Sequence, residues 1–228
     1  LLFFSNEISS RKHYLLSEEK GFGQGYGEIE SYVYYSMIRH FKPKKIIEVG
    51  GGLSTYYAIR AIEKNKLEKN KSTQLICIEP FPFDELKKNK LSINLIEKKV
   101  QEVDLTIFKD LGEGDFLFID SSHVGKVGSD VSHILLNIIP NLPKNCFIHF
   151  HDMYLPFTTT PDNHKIFNES CFWNEILIVS NFLNFNYNYK VIQSQSILHH
   201  LEPEKFKNTF PSYDPKINFP SSMWIQKI

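Results

Sequence analysis

Apolar residues in this chain cluster in two ways, as short unbroken runs and as longer stretches repeating every three or four positions. The runs Lys44 to Val49, Gln74 to Glu79 and Gly114 to Asp120 are short and nearly continuous, and each carries an acid at or near its end. That pattern predicts strands buried on both faces of a parallel sheet. Ile93 to Val100 and Asn145 to Phe150 read as two further strands, the latter running into His151-Asp152. In Glu28 to Phe41, by contrast, Ile29, Val33, Ser36, Met37 and His40 fall on one helical face, and Pro43 closes the segment. Helices are likewise predicted over Tyr56 to Lys66, Asp84 to Lys90, Asp130 to about Leu142 and Phe172 to Phe185, the third capped by Ser129 and followed by Pro143. Alternating strands and helices predict an α/β fold, a sheet with helices on both faces. Tyr189 to Leu198 and Ser222 to Ile228 lack a helical pattern between them, which predicts an antiparallel edge. Residues 1–20 give no firm element. Residues 1–41 then form an extension, glycine loop and helix packed on a core of 42–228.

The run ending in Glu48 is followed by Gly50-Gly51-Gly52-Leu53-Ser54-Thr55, a turn that lets backbone approach a ligand closely. A dinucleotide fingerprint would place a third glycine where Thr55 stands and would set a pyrophosphate near Glu48, which repels it. A cofactor with a cationic amino-acid end suits this carboxylate better, and S-adenosylmethionine is one. Glu79 stands where an acid accepts hydrogen bonds from ribose hydroxyls.

Composition narrows the partners. With 26 basic and 26 acidic residues, no global field favours nucleic acid or an anionic membrane. No apolar run reaches the roughly 20 residues that span a bilayer. Cys77, Cys146 and Cys171 show neither metal nor redox spacing and suit a reducing cytoplasm. The chain opens on Leu1 rather than Met, which leaves targeting open.

Glu48-Val49-Gly50-Gly51-Gly52 with Ser54-Thr55, Ile78-Glu79-Pro80, and Asp115 to Asp120 continuing into Ser121-Ser122-His123 together resemble the class I S-adenosylmethionine-dependent methyltransferases. Phe118 to Val124 and His149 to Phe157 resemble, within that class, a bacterial branch acting on small molecules or sugars. The resemblance implies a Rossmann-like seven-stranded sheet of order 3-2-1-4-5-7-6 with strand 7 antiparallel. It also implies cofactor binding by Glu48, Gly50, Gly51, Gly52, Ser54, Thr55, Glu79 and Asp120. Gln101 stands where the family usually has an acid facing the adenine amino group, and an amide can still accept that bond.

Asp120, His123, His151 and Asp152 are the candidates for chemistry, since all fall at the ends of the fourth and fifth strands. Either imidazole could act as general base towards an acceptor hydroxyl, tuned by a neighbouring Asp. Alternatively Asp120 and Asp152 hold a divalent cation, although Mg²⁺ prefers more oxygen ligands than two acids provide, and imidazoles favour a softer metal. Plainer roles stand beside these: His149 as a core histidine, Asp120 and Asp152 as caps, His123 as a brace for the turn at Gly125 to Ser129, His199-His200 as solvated surface, and Phe172 and Trp173 as core. The glycine segment Gly21 to Gly27 and the loop Met153 to Cys171 would wall a small-molecule or glycan acceptor, with a second copy of the chain as a candidate partner. Rival readings are a cofactor-binding module without activity and an NAD-dependent oxidoreductase.

Overall fold

The computed structural model describes residues 2–8, 10–69, 72–89, 92–156 and 173–228. Its strands are β1 (Lys45–Val49), β2 (Gln74–Ile78), β3 (Asn94–Ile96), β4 (Phe116–Ile119), β5 (Phe147–Phe150), β6 (Tyr189–Ser194) and β7 (Met223–Lys227). They form one sheet in the order β3-β2-β1-β4-β5-β7-β6, with β7 antiparallel to both β5 and β6. The order and the antiparallel strand are those expected from the sequence.

Alternate side chains of each inner strand feed two separate cores. Ile46, Leu75, Cys77, Phe116 and Phe118 belong to one, packed with residues of α3 (Glu28–Phe41) and α4 (Leu53–Lys69). Ile47, Ile76, Leu117 and Ile119 belong to the other, with Phe108, Val131, Ile134 and Val179. Both faces are therefore dry, which is why the strand sequences show runs rather than alternation. Each such buried side chain contributes roughly 1.5–3 kcal/mol.

The sheet brings the ends of β1 and β4 together through Gly50. Its φ is +87°, and a Cβ there would lie 1.9 Å from the Asp120 carbonyl oxygen. Asp120 N donates to Val49 O at 2.9 Å and Gly50 N to Ile78 O at 3.0 Å, so one glycine ties the exits of three strands.

Several element boundaries differ from the sequence reading. Residues 1–20 contain α1 (Leu2–Ile8) and α2 (Arg11–Glu18), the latter capped by the Ser10 side chain. β3 is far shorter than Ile93 to Val100, because Lys98 N turns back to Ile96 O and Val100–Glu102 forms a 3₁₀ turn. α4 starts at Leu53, three residues ahead of the expected Tyr56. The helix expected from Asp130 is α-helical only to His133, then continues as a π turn over Ile134–Ile138 and a 3₁₀ turn over Ile139–Asn141. Pro140, which has no N–H to donate, lies in that last turn. Tyr189 to Leu198 is not all strand: Ser194 accepts from Ile197 N and starts a helix over Gln195–Leu201. The helix expected over Phe172 to Phe185 spans Glu175–Leu183. Most of the loop Met153 to Cys171, and Phe172, lie outside the described residues.

Candidate active site

A cavity of about 550 Å³ opens at the exits of β1, β2 and β4. Gly50, Glu79, Gln101, Asp120 and Ser122 line it. Glu79 is fixed by backbone donors, Phe81 N to Oε1 at 2.8 Å and Gly51 N to Oε2 at 3.3 Å. Gln101 donates its amide to Gly128 O at 3.1 Å. Of the expected cofactor residues, Gly50, Glu79, Gln101 and Asp120 meet at this cavity, whereas Glu48, Gly51, Gly52, Ser54 and Thr55 do not line it, Gly51 and Gly52 being half-buried beside it and Glu48, Ser54 and Thr55 buried. Glu48 is fully buried, accepting from the Tyr34 hydroxyl at 2.9 Å and the Thr55 hydroxyl at 2.6 Å. Burial pushes its carboxyl up to about 7 against the pull of those two donors. Glu48 therefore braces the turn, and its carboxylate does not face the cavity.

Asp120 stands both on the cavity wall and in a buried cluster of acids and imidazoles. His151 Nδ1 lies 3.1 Å from Asp120 Oδ1 and 3.5 Å from Asp152 Oδ2. His123 Nε2 lies 3.4 Å from each of the same two carboxylates. The far nitrogens of both rings also meet acids: His123 Nδ1 is 2.8 Å from Glu175 Oε2, and His151 Nε2 is 3.4 Å from Glu30 Oε1. All four expected catalytic residues are thus brought together. Backbone shape helps to aim them, since His123 and Asp152 take left-handed conformations at φ 58° and 51°.

Electrostatics bind the cluster tightly. Burial resists charge on Asp120, but the charge and hydrogen bonds of His151 and His123 hold its carboxyl well below the usual range. Burial likewise opposes a charged His123, yet hydrogen bonds to Asp120 and Glu175 push it up to about 10. His151 is held well above its ordinary value by Asp152, Asp120 and Glu30, against burial. Asp152 and Glu175 are raised by burial.

Glu30 and Glu175 were not singled out from the sequence. Glu30 Oε1 accepts from Ser221 N at 3.0 Å, Ser221 Oγ at 3.2 Å and Ser222 Oγ at 3.1 Å, while Oε2 accepts from Gly27 N at 3.1 Å. Glu175 did carry a signal, as the sole charge within the apolar run Phe172 to Phe185. Tyr26 closes the cluster from the glycine segment, its buried ring 5.0 Å from that of His151. His149 is the buried core histidine expected, its ring stacked on Phe118 at 4.2 Å. Trp173 packs against His123, with ring centroids 4.6 Å apart. His199 is buried, not solvated, with Nδ1 2.8 Å from the Tyr213 hydroxyl.

Residues 47–153 match the model of a family described as a methyltransferase domain. A protein of Archaeoglobus fulgidus is 34% identical over 89 residues, covering 38% of this chain and 39% of that protein's length. Among solved structures, the O-methyltransferase TomG of Streptomyces achromogenes, involved in tomaymycin synthesis and crystallised with S-adenosylmethionine, matches with a TM-score of 0.57 at 11% identity, covering 99% of this chain and 94% of that one. The Podospora anserina methyltransferase PaMTH1, bound to S-adenosylhomocysteine, gives a TM-score of 0.53 at 16% identity, covering 100% and 86%. At these identities the structural likeness is one of fold. No helix among the described residues is long and apolar enough to cross a membrane.

Proposed function

We propose that this chain, whose residues 47–153 belong to the methyltransferase-domain family and whose sheet has the class I methyltransferase order, transfers a methyl group from S-adenosylmethionine to a hydroxyl of a small molecule or sugar. The observation that carries this reading is the double membership of Asp120, which stands in the cavity wall and in the acid–imidazole cluster. A cofactor in the cavity and an acceptor at the cluster would meet there.

The cavity suits the cofactor. Gly50 presents bare backbone where any β-carbon would collide with Asp120, and Glu79 supplies a carboxylate for vicinal ribose hydroxyls. Gln101 stands on the same wall for the adenine. When bound, S-adenosylmethionine supplies a methyl group already activated by its sulfonium. The protein's own work is then to align the acceptor hydroxyl and take its proton. Asp120, the carboxylate on the cavity wall, is placed to take that proton, and His123 and His151, held charged between buried acids, fix it in position with Asp152 behind them. Glu30 and Glu175 act as positioning residues, one behind each ring.

Incubation with methyl-labelled S-adenosylmethionine and a panel of small hydroxyl acceptors and sugars tests the reading. Label should pass to a hydroxyl with one S-adenosylhomocysteine formed per methyl, and His123→Ala and His151→Ala should each lower turnover at least tenfold. Turnover unchanged in both variants would remove the acid–imidazole cluster from the reaction.

A further inference from the structure

We infer that the pocket between α2, the start of α3 and residues 217–220 binds one neutral sugar ring of the acceptor, hydrogen-bonded by Arg11, Glu28 and Asn218 and laid against Phe219. Its role towards the acceptor rests on the methyl-transfer reading, whereas sugar binding itself does not.

The pocket holds about 200 Å³, below the roughly 300–1,000 Å³ of sites for drug-sized ligands, so it suits a single ring. It shares no lining residue with the cofactor cavity. Three segments far apart in sequence converge on it: Arg11 and Tyr14 from α2, Gly27 to Glu30 at the start of α3, and Ile217 to Pro220 ahead of β7.

Its polar groups are buried and held in place by the fold. Glu28 Oε1 accepts from the Tyr32 hydroxyl at 3.3 Å, and Oε2 accepts from Arg11 Nη1 at 3.1 Å and Asn218 Nδ2 at 3.4 Å. Asn218 Oδ1 in turn accepts from Asp214 N at 2.8 Å. Arg11 reaches in from the rim, its side chain 46% exposed, and among the described residues it pairs with Glu28 alone. A guanidinium has five N–H donors, so most of those of Arg11 are left for a ligand. Carboxylate, amide and guanidinium thus set acceptors and donors side by side, which matches the hydroxyls of a sugar, each of them donor and acceptor at once.

Charge selects a neutral ligand. Each acid in the wall already has a cationic partner, Arg11 for Glu28 and His151, at 3.4 Å, for Glu30, so a charged ligand would have to break one of these pairs. Ile217 and Phe219 stand exposed beside the polar groups and offer an apolar face to the C–H side of a sugar ring. Glu30 places the occupant next to the acid–imidazole cluster. It lines this pocket and backs His151, which meets Asp120 on the wall of the cofactor cavity. The sugar then anchors the acceptor on the Glu30 side of the cluster, with the cofactor on the Asp120 side.

The full chain, free of cofactor, is titrated with the methyl glycosides of glucose, galactose, mannose and rhamnose while saturation-transfer NMR reports binding. At least one should bind at a single site with a Kd on the order of 1 mM. Arg11→Ala and Phe219→Ala, both exposed at the rim, should each weaken it at least tenfold with a melting temperature near that of wild type. Lys12→Ala, beside Arg11 but outside the pocket, should leave glycoside binding unchanged. Failure of all four glycosides to bind the wild-type chain, or equal binding by wild type and both rim variants, would overturn the pocket, and the first result depends on no variant. Calorimetry with S-adenosylmethionine on the same sample separates the two readings. Cofactor binding without glycoside binding overturns the sugar pocket alone, and glycoside binding without cofactor binding overturns methyl transfer alone.

Discussion

His151 is held between Glu30 and Asp120, with Nε2 3.4 Å from the first and Nδ1 3.1 Å from the second. Glu30 comes from the first turn of α3, and Asp120 and His151 from the exits of β4 and β5. Glu30→Gln keeps the size and most acceptors, so it should fold with a melting temperature near wild type while losing about tenfold or more in methyl-transfer turnover. Glu30→Ala leaves several buried donors unpaired and should cost about 1–3 kcal/mol or more in stability. Thermal unfolding and turnover measured side by side check both outcomes; equal turnover in Glu30→Gln and wild type would remove Glu30 from the site.

Gly50 makes the second prediction. A β-carbon there meets backbone, at 1.9 Å from Asp120 O, on a residue whose φ of +87° already excludes most side chains. Gly50→Ala should lose at least about 2 kcal/mol of stability in denaturant titration and should also lose cofactor binding. Wild-type stability in this variant would contradict the contact between the β1 and β4 exits.

Glu48 gives a pH signature. Its carboxyl is raised from 4.5 to about 7 in the folded protein, chiefly by burial, so the folded state holds that proton more tightly than the unfolded chain. Stability from the protonated form is complete below the unfolded value and is lost as pH rises through about 7, on the order of 3 kcal/mol in all. Glu48→Gln, which stays neutral, should unfold at a higher temperature than wild type at pH 8, with the gap shrinking towards pH 5. A gap independent of pH would show that Glu48 is ionised in the fold.

His149 tests the aromatic packing beneath the site. Among the described residues its buried Nδ1 has no hydrogen-bond partner, and its ring stacks on Phe118 with an interplanar angle of 5°. His149→Phe keeps the stack and removes the unpaired nitrogen together with the long contact from Nε2 to the Tyr26 hydroxyl at 3.4 Å, so its stability in denaturant should stay within about 1 kcal/mol of wild type. A loss above about 2 kcal/mol would give His149 a polar partner of consequence.

Much of this architecture was legible in the sequence, for a physical reason. Strands covered on both faces must be apolar throughout, so Ile46-Ile47, Leu75 to Ile78 and Phe116 to Ile119 stand out, and the acids at their exits mark the ligand side of the sheet. His151 and Asp152 could be placed because they directly follow such a strand. Glu30 could not, because its partners Ser221, Ser222 and His151 are remote in sequence and only the fold joins them. The partners of Glu48 are hidden in the sequence for a related reason. Sequence shows an acid beside a glycine turn but not the Tyr34 and Thr55 hydroxyls that claim both its oxygens. Ser194 shows the local limit, since one side-chain cap turned an apparent strand into a helix at Gln195.

S-adenosylmethionine should bind in the cavity at Gly50, Glu79 and Asp120. Isothermal titration calorimetry of the full chain, wild type and Glu79→Ala, tests it most directly. Wild type should bind S-adenosylmethionine and S-adenosylhomocysteine with one site per chain, and Glu79→Ala should weaken both at least tenfold. Binding of NAD in their place, or affinity for S-adenosylmethionine unchanged in Glu79→Ala, would contradict the account.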